Sequence, residues 1–207
     1  MALFDWMVEA NGPVLHGQGL LLRPPRPADY ADWAELRDLS RDYLQPWEPQ
    51  WAEDDLSRAS FKRRLSIYSR EMELGTAFPL FVFRLEGERL MGAITLSNIR
   101  RGVAETGTMG YWIGQPFAGQ GVATRGVGLA LDFAFKGLKL HRVEAACVPS
   151  NKASRRVLEK AGFREEGLAK AYLKINGQWA DHSLFGILAH EHQSNSPEFL
   201  SSTREAP

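Results

Sequence analysis

The stretch AGQGVA, residues 118–123, lies between a predicted strand and a predicted helix. Its two glycines are separated by one residue, so backbone N–H groups can turn toward one point without obstruction by a Cβ atom. The N-terminus of the following helix adds partial positive charge at that point. The stretch therefore predicts a cradle for an anion, most naturally a pyrophosphate. A tight turn without a ligand fits the loop by itself equally well.

Two common phosphate-binding motifs do not match this loop. A Walker loop requires Gly-Lys followed by Ser or Thr, and no such tripeptide follows the second glycine. The dinucleotide fingerprint G-x-G-x-x-G requires a third glycine three residues after the second. The next glycine here is Gly126, two positions too late. The loop therefore predicts an anion site of another kind.

The residues around the loop predict a domain in which strands and helices mix. The apolar runs at residues 78–85 and 90–98 are separated by Glu-Gly-Glu-Arg, which is typical of a hairpin. Asn176-Gly177, between residues 168–175 and 178–188, is a stronger hairpin signal. Further strands are predicted at residues 19–26, 106–113 and 141–148. One helix is predicted to follow Asp29, its N-cap, and a second to begin at Asp54. Two more helices are predicted after Gly121 and over residues 151–160. This order predicts an α/β or α+β domain with one mixed sheet.

The length and composition indicate one globular domain. The chain has 207 residues, of which 44% are hydrophobic and 24% charged, which is an ordinary globular composition. We predict a leader at residues 1–18, the domain at residues 19–189 and a flexible tail at residues 190–207. Serine and proline occur in that tail without periodicity.

Charge and cysteine content exclude several classes of protein. Lys and Arg total 25, as do Asp and Glu, and the zero formal charge argues against a generally basic nucleic-acid-binding protein. The single cysteine, Cys147, excludes a disulfide framework and a multi-cysteine zinc site. His190-Glu191-His192 offers no third ligand, so no metal site is predicted. Without a long apolar segment or a signal-peptide pattern, a cytoplasmic chain with no membrane or nucleic-acid partner is expected.

A second block, VPSNKASRRVLEKAGF at residues 148–163, relates the chain to a family. It places Asn151 and Ser154 three residues apart and ends in LEKAGF. Together with the QGVA of the loop, it closely resembles the GNAT acetyltransferases. LQPWEP at residues 44–49 and YLKINGQWAD at residues 172–181 are similar to the RimJ/RimL branch, whose members acetylate ribosomal-protein N-termini. The resemblance implies a mixed, mostly antiparallel sheet flanked by helices and opened between its two central strands for acetyl-CoA, in a monomer or homodimer.

The resemblance also implies which residues bind acetyl-CoA. The family's loop begins with Gln or Arg, where this chain has Ala118, but backbone donors rather than that side chain cradle the pyrophosphate. Asn151 matches the asparagine that hydrogen-bonds the pantetheine arm. The expected cofactor-binding residues are Ile113, Gly119, Gln120, Gly121, Val122, Ala123, Thr124, Asn151, Ser154 and Arg155.

The same resemblance implies a general acid. Many members place a tyrosine seven residues after the asparagine, and this chain has Leu158 there. Ser154 matches the serine that has this role in the RimJ/RimL branch, although a solvent-facing helix residue is the alternative. A hydroxyl donor suffices, because a thiol of pKa about 8.5 gives a good leaving group. Direct transfer needs no covalent enzyme intermediate, so Cys147 is expected to be a small buried core residue.

Transfer also requires a neutral acceptor amine, and two glutamates are candidate general bases. Glu144 stands within the apolar run at residues 141–148, where burial beside the cleft would raise its pKa. Pairing with Arg142 is the alternative for Glu144. Glu105, at the start of the strand predicted at residues 106–113, is either the base or a solvated strand-end charge.

The acceptor completes the hypothesis. Trp47, Trp51, Tyr111 and Tyr172 are the predicted acceptor-binding residues, although the two tryptophans alternatively pack the helices onto the sheet. The chain is predicted to be an acetyl-CoA-dependent N-acetyltransferase that acts by direct attack in a ternary complex on the N-terminal α-amine of a ribosomal protein. One alternative acceptor is an aminoglycoside or a polyamine, and the latter would favour an acidic mouth built from Glu48, Glu53, Asp54 and Asp55. The other alternative is a non-catalytic acyl-CoA-binding module, since the usual tyrosine is missing.

Overall fold

A computed structural model describes residues 8–9 and 12–194 of the chain. The strands are β1 (Val8–Glu9), β2 (Gly12–Pro13), β3 (Leu15–Gly17), β4 (Leu20–Arg23), β5 (Phe78–Arg84), β6 (Leu90–Arg100), β7 (Thr106–Ile113), β8 (Arg142–Cys147), β9 (Arg164–Ile175) and β10 (Gln178–Leu188). The α-helices are α1 (Tyr30–Leu39), α2 (Arg41–Leu44), α3 (Arg58–Glu73), α4 (Val122–Asp132), α5 (Lys152–Lys160) and α6 (Ala189–Ser194). Within these ranges, no helix is both long enough and apolar enough to cross a bilayer.

One eight-stranded sheet forms the centre of the domain, in the order β3-β4-β5-β6-β7-β8-β10-β9. Neighbouring strands are antiparallel except for β7 and β8, which are parallel. The mixed, mostly antiparallel sheet predicted from the sequence is therefore confirmed. Both predicted hairpins are confirmed as well, since β5 pairs with β6 and β9 pairs with β10.

Helices cover both faces of the sheet. On one face the Trp33 ring of α1 packs on Phe61 of α3 at 4.8 Å, and Phe61 lies 6.3 Å from Phe81 of β5. On the other face α4 approaches closely at Gly126, where a Cβ atom would lie 2.7 Å from the Ile94 side chain. Because both faces are covered, β5 is a continuous apolar run rather than an alternating one.

The sheet opens at its centre, between β7 and β8. These two strands pair only from Thr106 to Thr108, opposite Arg142 to Glu144. Beyond this point β7 stays paired with β6 and β8 with β10, and the two halves of the sheet separate. The opening predicted between the two central strands is thus present, and it positions the site described below.

Several element boundaries differ from the predictions for local reasons. α3 begins at Arg58 rather than near Asp54, because Ser57 is its N-cap and accepts a hydrogen bond from Ser60 N at 3.1 Å. β4, which matches the strand predicted at residues 19–26, ends at Arg23, before two prolines that cannot donate to a ladder.

The sheet and its helices extend past the predicted domain boundaries at residues 19 and 189. β3, on the leader side, pairs with β4 and buries Leu15. On the tail side, α6 places His192 Nε2 3.0 Å from Asp132 Oδ1 of α4. Most of the predicted leader's first eleven residues and the tail beyond residue 194 lie outside the described residues.

Asp29 corrects a second expectation. It precedes α1, but its carboxylate does not cap that helix. Instead, it accepts hydrogen bonds from Arg23 Nη1 and Nη2 at 2.8 and 2.7 Å and from Arg26 N at 2.6 Å. Both side chains of the Arg23–Asp29 pair are less than a tenth exposed. The pair therefore joins β4 to the turn before α1 in a largely buried position.

We predict that Asp29→Asn lowers the free energy of unfolding by about 3 kcal/mol, because it leaves the buried Arg23 guanidinium without its counter-charge. Urea unfolding followed by circular dichroism measures this loss. Asp38→Asn is the matched control, since the exposed Asp38–Arg41 pair contributes no more than about 0.5 kcal/mol. Equal losses in the two variants would contradict the prediction.

Candidate active site

A cavity of about 770 Å³ fills the opening between β7 and β8. Its walls come from the free ends of both strands, the loop before α4, helix α5, the segment around α2, and β9. The predicted site residues that line it are Trp47, Tyr111, Ile113, Gly119, Gly121, Val122, Ala123, Thr124, Asn151 and Ser154. Residues far apart in the sequence thus meet at one cleft.

The loop before α4 has the backbone that an anion cradle requires. Gly119 and Gly121 both have φ near +73°, a left-handed conformation that favours glycine. Gly121 is the N-cap of α4, and no side chain caps the first turn of that helix in the described structure. The N–H groups of that turn are thus available to an anion. The Gln120 side chain is not part of the lining, because its Nε2 donates to Pro116 O at 2.8 Å.

Helix α5 adds positive charge to the same cleft. Lys152, Arg156 and Lys160 line the cavity and follow one another at a spacing of four residues, which places them on one face of the helix. The glycine loop and these cations fit the pyrophosphate of coenzyme A.

Arg155, a predicted cofactor-binding residue, is held by two glutamates instead of pointing into the cavity. Its Nε donates to Glu159 Oε1 at 3.0 Å, and the guanidinium also pairs with Glu165 of β9. It does not line the cavity. One residue further along a helix is a rotation of about 100°, which turns Arg155 toward β9 and Arg156 toward the cleft.

Asn151 is the N-cap of α5. Its Oδ1 accepts a hydrogen bond from Ser154 N at 3.0 Å, so Nδ2 is the donor that this side chain can offer to a ligand. The cap also fixes the first turn of α5, and with it the position of Ser154.

Ser154 and Tyr111 form the polar centre of the cleft. Their hydroxyl oxygens lie 2.9 Å apart, and Tyr111 Oη is also 3.1 Å from the Ser154 carbonyl oxygen. Burial raises the pKa of Tyr111 well above its ordinary value, so the phenol keeps its proton at neutral pH. Ser154 is therefore not a solvent-facing helix residue, and Tyr111 contacts it directly.

Cys147 lies beside this pair and is nearly fully buried. Burial also raises the pKa of its thiol, which disfavours the thiolate that a nucleophile would need. The arrangement agrees with the expectation of a core residue that takes no covalent part in transfer.

Neither predicted carboxylate base lines the cavity. Glu144 Oε1 accepts a hydrogen bond from Arg142 Nε at 2.9 Å, and 40% of its side chain is exposed. Glu105 precedes β7 at the closed end of the opening, where its Oε2 is 3.4 Å from Arg101 Nη1. Both side chains belong to the paired part of β7 and β8 rather than to the open part. The structure therefore counts against both as general bases.

The acceptor side of the cavity differs in part from the prediction. Trp47 lines it, but Trp51 and Tyr172 do not. Trp51 Nε1 donates to Glu48 Oε2 at 2.8 Å, and the Arg37 guanidinium lies 4.1 Å above its ring. Trp51 thus supports the wall from behind.

Glu48 is the only acidic residue among the described residues that line the cavity, and it is neutralised. Arg37 donates to both of its oxygens at 2.8 and 2.7 Å. This pair spans a proline-containing segment, and no spacing in the sequence indicates it. Two other acids of the predicted mouth are also paired, since Asp54 lies 2.6 Å from Arg63 and Asp55 pairs with Arg64.

No group of three or more His, Cys, Asp or Glu side chains suited to a metal ion occurs in the described ranges. In the His190-Glu191-His192 sequence, His192 contacts Asp132, and Glu191 accepts a hydrogen bond from Leu188 N at 3.0 Å.

Comparison with known proteins relates the chain to enzymes of one kind. Residues 19–164 match the family described as acetyltransferase (GNAT) domain. The probable N-acetyltransferase YjcK of Bacillus subtilis is 35% identical over 175 residues, which cover 84% of this chain and 97% of that protein. The ribosomal protein uS5-alanine N-acetyltransferase of Escherichia coli is 35% identical over 162 residues, 78% of this chain and 80% of that protein. The solved structure of Mycobacterium smegmatis RimJ in complex with CoA-disulfide superposes with a TM-score of 0.79 at 35% identity and covers 83% of each chain.

Proposed function

The chain belongs to the GNAT acetyltransferase family and is an acetyl-CoA-dependent N-acetyltransferase, and from this premise we propose that its acceptor is the N-terminal α-amine of a protein. A ribosomal protein is the first candidate, because a relative at 35% identity is named for ribosomal protein uS5. The observation that carries the proposal is the neutral to basic acceptor side of the cleft.

The charges of the acceptor side favour a peptide over a polyamine. Glu48 is held by Arg37, and Lys174 adds a positive charge to the same wall. A polyamine would bring at least two cationic groups to a wall whose described lining residues include no unpaired carboxylate. A peptide brings one amine that loses its charge before reaction, followed by a neutral backbone that the aromatic wall at Trp47 accommodates.

The chain's own residues can bind the donor and supply a proton. When bound, acetyl-CoA supplies the thioester carbonyl that the amine attacks. The glycine loop and the basic face of α5 hold its phosphates, and the first turn of α5 orients Ser154. We propose that Ser154 Oγ–H donates the proton that the leaving sulfur needs, and that the Tyr111 hydroxyl, 2.9 Å away, stabilises the Ser154 oxygen by a hydrogen bond while solvent replaces that proton.

The position of the family's usual tyrosine supports this assignment. Leu158 occupies it and is fully buried in the core. A proton donor is therefore needed elsewhere, and Ser154 is the hydroxyl of α5 that lines the cleft.

The acceptor is tested by competition between amines. We expect kcat/KM for peptides with a free N-terminus to exceed that for spermidine and for an aminoglycoside by at least about tenfold. Thiol release from acetyl-CoA measures the rate, and tandem mass spectrometry locates the acetyl group. An N-terminally blocked peptide that contains lysine is the control and should not react. Lys174→Glu should lower the ratio of kcat/KM for the peptide to kcat/KM for spermidine. A preference for spermidine by the unmodified enzyme would overturn the proposal.

A further inference from the structure

His182 lies in the cleft but contacts neither the Ser154–Tyr111 pair nor Glu48. It stands on β10, is 3% exposed and lines the cavity. Its ring packs edge-on against Tyr172 of β9, with 5.7 Å between the ring centroids. A buried imidazole that lines the cleft is a candidate for a role in the reaction.

The direction of β10 places His182 on the acceptor side. The next residue, Ser183, is paired in register with Cys147, and Phe185 carries the Arg155 guanidinium of α5 over its ring at 5.7 Å. Those odd-numbered residues therefore face α5. Because neighbouring residues of a strand point to opposite faces, His182 faces away from α5.

The acceptor wall lies close to the same hairpin. Asn176 N, in the β9–β10 turn, donates to the Glu48 carbonyl oxygen at 2.8 Å. This hydrogen bond holds the hairpin that carries His182 against the segment that carries Trp47 and Glu48.

The tautomer of His182 follows from its hydrogen bond. Nδ1 lies 3.0 Å from the Ala180 carbonyl oxygen, which can only accept, so Nδ1 carries the proton. In the neutral ring the lone pair is then on Nε2. Within the part of the chain that the structure describes, Nε2 has no hydrogen-bond partner.

Few other groups of the cleft can take a proton. Among the described lining residues, Glu48 is the only carboxylate and His182 the only imidazole. Glu48 is occupied by Arg37 on both oxygens and by Trp51 on one. Glu105 and Glu144 lie outside the cavity.

We propose that His182 is the general base of the transfer. Nε2 accepts the proton that the acceptor nitrogen loses as its bond to the acetyl carbon forms. In the same reaction the C–S bond breaks, and sulfur leaves with the bonding electron pair and gains a proton from the Ser154 side. The imidazolium then returns its proton to solvent. The proposal holds for any amine acceptor and does not depend on the peptide assignment.

The test is His182→Asn, because the Asn Nδ2 can replace Nδ1 as donor to the Ala180 carbonyl while the base is lost. We expect kcat/KM for the best amine acceptor to fall about 30-fold, less than for a typical base because part of an α-amine is already neutral at pH 7. Added imidazole should restore part of the rate. Affinity for coenzyme A, measured by calorimetry, should be unchanged.

His192→Asn is the matched control, since His192 is also a buried imidazole but contacts Asp132 outside the cavity. Its kcat/KM should equal that of the unmodified enzyme. An unchanged rate in His182→Asn, or an equal loss in both variants without rescue by imidazole, would overturn the proposal. Absence of turnover by the unmodified enzyme with every peptide would instead count against the peptide assignment, and the variants would then be compared with a small amine.

A second measurement does not depend on activity. Nuclear magnetic resonance of isotope-labelled histidine in the full chain reports which ring nitrogen carries the proton. We expect Nδ1 of His182 to be protonated and Nε2 to be free in the neutral ring. Protonation at Nε2 would also overturn the proposal.

Discussion

Gly121→Val is expected to raise the Kd for coenzyme A at least about 100-fold, which corresponds to about 2.7 kcal/mol. Gly121 has φ near +73°, and a β-branched residue in this region is strongly disfavoured. The loop must therefore leave the conformation that directs its N–H groups into the cleft. Isothermal titration calorimetry with coenzyme A measures the loss.

The fold should survive this substitution. No atom outside the neighbouring residues lies within 4 Å of a Cβ built at Gly121, so the strain stays in the loop. Gly128→Ala is the control, because Gly128 lies within α4, has open space at its Cβ position and should keep its affinity for coenzyme A. Unaltered affinity in Gly121→Val would refute the assignment of the loop as the phosphate cradle.

Ser154→Ala is expected to lower kcat about 100-fold, as for the loss of a general acid. Affinity for coenzyme A should change little, because the Ser154 N–H that Asn151 caps is retained. Thiol release under saturating acetyl-CoA and acceptor measures the effect. Ser150→Ala is the matched control, since Ser150 is exposed and does not line the cavity.

Tyr111→Phe separates the roles of the two hydroxyls. If Tyr111 acts through Ser154, Tyr111→Phe lowers kcat about tenfold, and kcat of the double variant is no lower than that of Ser154→Ala alone. Full activity of Ser154→Ala would remove the serine from the mechanism, and a large loss in Tyr111→Phe would then identify the phenol as the donor.

The glycine loop and the start of α5 were predictable because their signals are local. Gly119 and Gly121 occur where the backbone takes positive φ, and Asn151 and Ser154 occur at N-cap spacing. The hairpin at Asn176-Gly177 was predictable for the same reason, because these two residues by themselves favour the turn. Such signals fixed the order of elements and the residues that line the donor half of the cleft.

The acceptor half was not predictable in the same way. From the sequence, Glu48, Asp54 and Asp55 belonged to a possible acidic mouth, and Glu144 was either a buried base or a partner of Arg142. Their arginine partners are set by packing between elements or by side-chain direction along a strand. His182 had no distinctive signal, because one polar residue on a terminal strand is ordinary.

By itself, the sequence determined that this chain is a mixed α/β domain with an anion cradle between a strand and a helix, and with Asn151 and Ser154 at the start of the next helix. Only the tertiary structure decided which charges are neutralised, that Arg156 rather than Arg155 faces the cleft, and that His182 lines the same cleft as Ser154. The physical reason is the distance along the sequence over which each property is determined. Backbone conformation depends on adjacent residues, whereas the charge and proton affinity of a side chain depend on the groups and solvent that the folded chain brings around it.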